Sequence, residues 1–554
     1  MAATRLLGMR NAEPLRPIGT PRQSRRRLAL LDKTMEVVLL WMRSHDDDAK
    51  IAILAFATAG TALFRSATSA RWHTIGDDEL RTLLNLRWGA MTSGSCAEVG
   101  HICTQVIRGY ANASQRDSRI QQYARHVRVM KLLPNALGTS PNGEQPWWHG
   151  RIVTKEWCAP FANLEALIVQ VERPGDLLLI ADWVCNSVRE AEIVAHVAPG
   201  RSEEWATAVG TLMQALRYRA SRLEILHVVG VPNIPTVFPD LLISAVQRHR
   251  MVLLELYLDA HALNEQMLEL LRTCVALQAI QVTQRGPFFP VPRRQSAASR
   301  PTTKGNSPYM LEMTLKGGLY MMLSILQGMT IEPSTLRVHC EVGRESIYSA
   351  QQLSHTIMST FRDISELCLE LELEDGVESL PIALRLSDFE CLGSAFHSLK
   401  RLRIVSDLQQ AMVVCDKDLH MWLTLMPELE ELILIWPEEF ERMEEQSQLY
   451  DKQHRRVTFP GILRLIQPKS KLRHLYLGHI DFLSLMELPE IWPDAPPLEL
   501  QTRTAEVGSV WETALVLQRV PHYISIAVDE SLQSNVVSQA LQYVKQAYEG
   551  RGRC

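Results

Sequence analysis

The segment MPELEELILIW, Met426 to Trp436, puts apolar side chains at Leu429, Leu432, Leu434 and Trp436, spaced three, two and two. A β-strand points alternate side chains to one face, so the last positions fit a short strand and Leu429 fits the turn leading into it. The same spacing returns along the chain. It appears at Leu399, Leu402 and Ile404, at Leu472, Leu475 and Leu477, and at Ile364, Leu367, Leu369 and Leu371. Upstream it appears at Val127, Met130 and Leu132, at Leu164, Leu167 and Val169, and at Leu223, Leu226 and Val228. Leu253, Leu256 and Leu258, then Leu277, Ile280 and Val282, complete the clear copies, and MLEMTL and STLRV are weaker ones.

Between these cells lie stretches with apolar residues at helical intervals, as in 202–220, 264–277 and 416–429. A strand–helix cell cannot bury its apolar edge alone, so cells in series are expected to stack into a curved solenoid with a parallel sheet and outer helices. The period is irregular, roughly 24 to 50 residues, around and above the range of leucine-rich repeats. The expected fold class is therefore α/β, an irregular leucine-rich-repeat solenoid. A doubly wound α/β domain would also alternate strand and helix, but no strand here ends in a glycine-rich phosphate loop.

At 554 residues the chain exceeds the size of one compact core. A formal charge of −4 speaks against a general affinity for nucleic acid or acidic membranes. No apolar run approaches the roughly 20 residues that span a bilayer. Ten cysteines without a CxxC pair fit reduced, buried thiols and a cytoplasmic or nuclear location. Arg5 and Arg10, preceding any acid, leave a mitochondrial address as the alternative.

The expected organisation begins with a basic, disordered tail at 1–30 and a small helical module at 31–90. Connecting helices at 91–120, the repeat domain at 121–549 and a short tail at 550–554 follow. Residues 284–308, rich in Pro, Ser and Arg and free of acid, read as a flexible insertion. The helical module carries bursts at Val37, Leu40 and Trp41, then at Ile51, Leu54, Phe56 and Leu63, with Asp47 or Asp48 placed to cap the second helix.

The run DDDAKIAILAFATAGTALFRSATSARWHTIGDDELRTLLNL resembles the F-box-like proteins of basidiomycete fungi, in which an F-box precedes leucine-rich repeats. Trp72 matches the tryptophan that closes the F-box, with Ile75, Leu80, Leu83 and Leu84 in the segment after it. YARHVRVMKL, 123–132, is similar to the family's first repeat strand. The usual Leu-Pro opening is absent from LLDKTMEVVLLWM. The resemblance implies a non-catalytic substrate-recognition subunit of an SCF-type ubiquitin ligase. A Skp-type adaptor, and through it a cullin, would dock on Glu36, Val37, Leu39, Leu40, Ile51, Leu54, Phe56, Phe64 and Trp72, while the repeats hold a protein substrate. The missing Leu-Pro favours the alternative, a repeat scaffold that binds protein partners without ligase association.

The expected repeat core comprises Leu164, Leu167, Leu223, Leu226, Leu253, Leu256, Leu277, Leu367, Leu369, Leu399, Leu402, Leu429, Leu432, Leu434, Leu472, Leu475 and Leu477. No HExxH, GxSxG, P-loop or GxGxxG occurs, so no catalytic, cofactor or metal residue is assigned. His101 with Cys103 lacks a companion pair for zinc. Trp147 and Trp148 read as a packing plug or a stacking surface. The acidic runs at 370–378 and 436–446 read as solvated loop charge or as a patch facing a basic partner.

Overall fold

The computed structural model describes residues 69–76 except 71, 123–132, 161–196, 202–231, 238–284, 310–329, 331–342, 349–373, 396–406, 414–435, 457–465, 470–482, 497–506 and 524–528. To these it adds 389, 391, 392, 514, 517, 537, 539, 540, 542 and 544. The chain divides into two units, Met1–His196 with Tyr218–Arg222, and Val197–Arg217 with Leu223–Cys554.

The first unit contains β1 (Thr74–Ile75), β2 (Val129–Leu132), β3 (Ala166–Val171), α1 (Pro174–Trp183) and β4 (Glu190–Ala195). Each strand pairs in parallel with the next, so Ile75, Met130, Leu167 and Ala191 line up in one column. The sheet thus starts inside the region expected to be a helical module, well before residue 121. Trp72 is buried just ahead of β1 and packs against Tyr123 with ring centroids 5.5 Å apart.

The second unit runs through α2 (Ser202–Tyr218, its last residue in the first unit), β5 (Ile225–Val229), α3 (Phe238–His249), β6 (Glu255–Asp259) and α4 (Glu265–Leu271). It continues through β7 (Ala279–Thr283), β8 (Met310–Gly318), α5 (Leu319–Gly328), β9 (Pro333–Val342), α6 (Ser349–Thr360) and β10 (Glu366–Leu373). β11 (Arg401–Ser406), α7 (Asp416–Leu425), β12 (Glu431–Ile435), α8 (Phe459–Leu465), β13 (His474–Asp481), β14 (Leu498–Glu506) and β15 (Ile524–Val528) complete it. Every strand from β5 to β15 pairs in parallel with its sequence neighbour. One unbroken column joins Leu226, Leu256, Ile280, Met313, Leu336, Leu367, Leu402, Leu432, Leu475, Leu500 and Ile526. This is an α/β architecture of parallel strands in serial order.

The backbone explains why the spacing starts with three. In several cells the two residues between the first and second apolar positions both donate N–H to one carbonyl of the preceding cell. Leu254 and Glu255 donate to Glu224, Gln278 and Ala279 to Leu254, and Lys400 and Arg401 to Ser365. Glu430 and Glu431 then donate to Lys400, and Arg473 and His474 to Glu430. This spine sets the register before the strand begins. A tight turn precedes it, closed by N–H bonds from Leu164 to Phe161, Val188 to Cys185, Leu277 to Cys274, Leu399 to Phe396 and Leu429 to Met426. The turn residues Phe161, Cys185, Cys274, Phe396 and Met426 are buried, which adds an apolar position three residues upstream of each cell. The same turns shorten two expected helices. The helix expected over 264–277 stops at Leu271 and the one over 416–429 at Leu425, because the following turn and cell claim the remaining residues.

All seventeen expected repeat-core leucines are 3% exposed or less. Burying one Leu stabilises by about 1.5–3 kcal/mol, so the columns are the main source of cohesion. Within the second unit the step between paired positions varies from 23 residues, Met313 to Leu336, to 43, Leu432 to Leu475.

A polar clasp joins two cells at their helices. The Asp416 carboxylate, at the start of α7, accepts from the Thr458 N–H at 2.8 Å and from Thr458 Oγ1 at 2.6 Å. Thr458 Oγ1 in turn accepts from the Gly461 N–H at 3.0 Å, capping α8. Burial pushes the Asp416 carboxyl up despite these bonds. A side chain at 461 would overlap that carboxylate, so only glycine fits.

Asp176, in the first turn of α1, is 4% exposed and its Oδ1 lacks a hydrogen-bond partner. Burial pushes its carboxyl up to about 6, only partly offset by Arg173. The folded unit therefore holds this proton to a higher pH than the unfolded chain does. Its stability falls as pH rises from about 4 to about 6, by about 3 kcal/mol, and is flat beyond. Asp176→Asn removes that loss while still burying an amide. The expected result is a gain of about 1–2 kcal/mol at pH 7 and none below about pH 4. Hydrogen exchange across 174–183 at both pH values measures it, and a gain at acid pH contradicts the assignment.

Candidate functional site

While one side chain of each pair enters the core, its neighbours form the open face of the sheet. In the second unit one open column reads Glu255, Ala279, Glu312, Thr335, Glu366, Arg401, Glu431, His474 and Glu499. The next reads His227, Tyr257, Gln281, Thr314, Arg337, Cys368, Arg403, Ile433, Tyr476 and Gln501. Successive side chains in a column stand about 4.8 Å apart, the strand spacing.

Opposite charges alternate across these columns. Arg337 Nε lies 3.1 Å from Glu312. Arg401 bridges Glu366 at 3.0 Å and Glu431 at 3.4 Å. His474 Nδ1 is 3.0 Å from Glu499, and Arg403 Nη2 is 3.8 Å from Glu370. The His339 ring lies between two carboxylates, with Nδ1 3.0 Å from Glu370 and Nε2 2.6 Å from Glu372. Burial works to raise the Glu370 carboxyl, but the His339 hydrogen bond and Arg403 together hold it below its usual value. Most of these pairs are half-exposed, so each is worth at most about 1 kcal/mol. Their larger effect is to fix where charges stand along the face.

β12 departs from the polar pattern. Its open positions are Glu431, Ile433 and Ile435, and Val405 pairs with Ile435 while Ile433 pairs with Tyr476. Beside them lies a shallow pocket of about 180 Å³, lined by Glu431, Ile433, His474, Tyr476, Glu499 and Gln501. The volume suits one long side chain; pockets for small molecules run from about 300 Å³ upward.

The resemblance-derived adaptor residues Glu36, Val37, Leu39, Leu40, Ile51, Leu54, Phe56 and Phe64 lie outside the described residues. Trp72 is described, and it is 8% exposed. His101, Cys103, Trp147 and Trp148 also lie outside them, as do the insertion after Gln284 and the acidic run at 436–446. Of the other acidic run, Glu370 and Glu372 belong to β10 rather than to a loop. Among the described residues no group of three or more His, Cys, Asp and Glu is placed to hold a metal. No described helix is long and apolar enough to cross a membrane. Cys274 and Cys340 are buried free thiols, pushed up by burial to about 11 and about 12. They are poor nucleophiles.

Ile433, Ile435 and Tyr476 did not stand out in the sequence, where the residues between leucines read as spacers. The available signal was ELILI, apolar on both faces of a strand whose counterparts alternate. In comparisons with known proteins, no family model matches this chain and no curated protein is significantly similar to it.

Proposed function

We propose that the protein is a non-catalytic interaction protein whose sheet face holds a protein substrate for an SCF-type ubiquitin ligase. In this reading the helical module before Trp72 docks a Skp-type adaptor, and through it a cullin. The repeat cells, read as leucine-rich repeats, form the receptor surface. The observation carrying the proposal is the open face of β5–β15, where half-exposed charged and apolar side chains stand in fixed columns. A rigid surface of this kind binds without ordering itself first, which keeps the entropic cost of association low. Holding a substrate near the ligase accelerates transfer by proximity alone.

A second reading, a scaffold without ligase association, is favoured by the missing Leu-Pro in LLDKTMEVVLLWM. Co-purification of the full chain with a fungal Skp-type adaptor separates the two. The ligase reading expects a stable complex that weakens at least about tenfold when Leu39 and Leu40 are both changed to Asp. Trp72→Ala is the poorer probe, since Trp72 packs on Tyr123 and its loss disturbs the start of the sheet. Absence of a complex with the unaltered chain leaves the scaffold.

A further inference from the structure

The geometry points to a specific partner chemistry at β11–β14: a protein segment that presents an arginine or lysine beside aliphatic residues. This rests on reading the sheet face as the binding surface.

The pocket has two kinds of wall. Ile433 and Tyr476 supply apolar sides, while Glu431 on β12 and Glu499 on β14 stand on either side of β13. Strands flanking a third lie about 9–10 Å apart, and the His474 ring stands in register between the two carboxylates, so an extended side chain reaches them over that ring. An aliphatic side chain would leave both carboxylates facing apolar carbon. An acidic one would add like charge. A long alkyl stem ending in a cation satisfies both walls: the stem covers Ile433 and Tyr476, and the cation meets the carboxylates and the aromatic face.

The charges already present leave room for such a group. Arg401 is shared between Glu366 and Glu431, and Glu499 accepts from His474 Nδ1 at 3.0 Å and Gln501 Nε2 at 2.8 Å, whereas a carboxylate offers about four acceptor sites. Arg503 lies four residues past Glu499 on β14, outside the pocket lining. Next to the pocket Val405, Ile433 and Ile435 form a half-exposed aliphatic patch on an otherwise polar face. A lone cation would leave this patch uncovered, so the partner brings aliphatic residues alongside its basic one. The pocket's size makes the occupant a side chain of a larger chain rather than a free metabolite.

The test is selection of a randomised short-peptide library, displayed on phage, against the full chain. Recovered peptides are re-measured by fluorescence anisotropy on three variants. Glu431→Gln with Glu499→Gln removes the charge and keeps the shape. Ile433→Thr keeps the β-branch and removes apolar area. Glu269→Gln, exposed on helix α4 and off the sheet face, serves as the control. The expected result is enrichment of Arg or Lys next to Leu, Ile or Val. Binding should fall about tenfold in the double-Gln variant and severalfold in Ile433→Thr, and should weaken in about 0.5 M salt. It should not change in Glu269→Gln. Peptides without a basic residue, binding indifferent to the double-Gln change, or no peptide that Ile433→Thr weakens each overturns the proposal. Self-association of the chain abolished by Ile433→Thr also overturns it, by making a second copy the occupant. These outcomes do not depend on adaptor binding. A chain that binds the adaptor yet fails here keeps the ligase reading and loses this one.

Discussion

Leu402→Ala is expected to lower the stability of the second unit by about 4 kcal/mol, near the upper end for such a truncation. Leu402 is 1% exposed and stands in register between Leu367 and Leu432. Both neighbouring strands are fixed by backbone pairing and by the spine, through Lys400 and Arg401 to Ser365 and through Glu430 and Glu431 to Lys400. The surroundings cannot collapse into the space left behind, so the cavity term adds fully to the lost burial. Arg401→Ala, one residue away, gives the contrast. Its side chain is 57% exposed and pairs with Glu366 and Glu431 in solvent, so its loss is worth about 1 kcal/mol or less. Urea denaturation of the two variants measures both. A Leu402→Ala loss no larger than that of Arg401→Ala refutes the column as the unit of packing.

The second large effect is expected at Gly461. Its Cβ would fall inside the Asp416 carboxylate, which is tied by two hydrogen bonds to Thr458. Moving the carboxylate breaks charge-assisted bonds in a half-buried place, and leaving it produces overpacking. Gly461→Ala should therefore lower stability by about 3 kcal/mol. Asp416→Ala alone should lower it by about 2 kcal/mol through the unsatisfied Thr458 donors. In the double variant the clash is gone, so its loss should be smaller than the sum of the single losses by about 1–2 kcal/mol. Strict additivity contradicts the clash.

The serial parallel sheet was legible because each cell marks the same positions with apolar residues, and the chemistry of strand and turn makes those marks local. Where a mark was weak, the reading missed the cell. β4 carries Val188, Ala191 and Ile193, with alanine in the central column, and β14 offers Leu498 and Leu500 after two prolines without the leading position. β1 was missed because Thr74–Ile75 is too short to carry any alternation. The candidate site was much less legible. His339 meets Glu370 across 31 residues of sequence, and Asp416 meets Thr458 across 42. No local pattern announces such pairs. The pocket arises from outward residues of three strands, whose identities follow no period.

In the backbone spine, strands such as β6, β7, β11, β12 and β13 each take their register from a carbonyl of the cell just before them. Chain emerging from a ribosome would therefore meet its pairing partner already made, with only about one cell's length to search. Extra residues gained between two cells by gene rearrangement would lengthen one connection without shifting any later alignment.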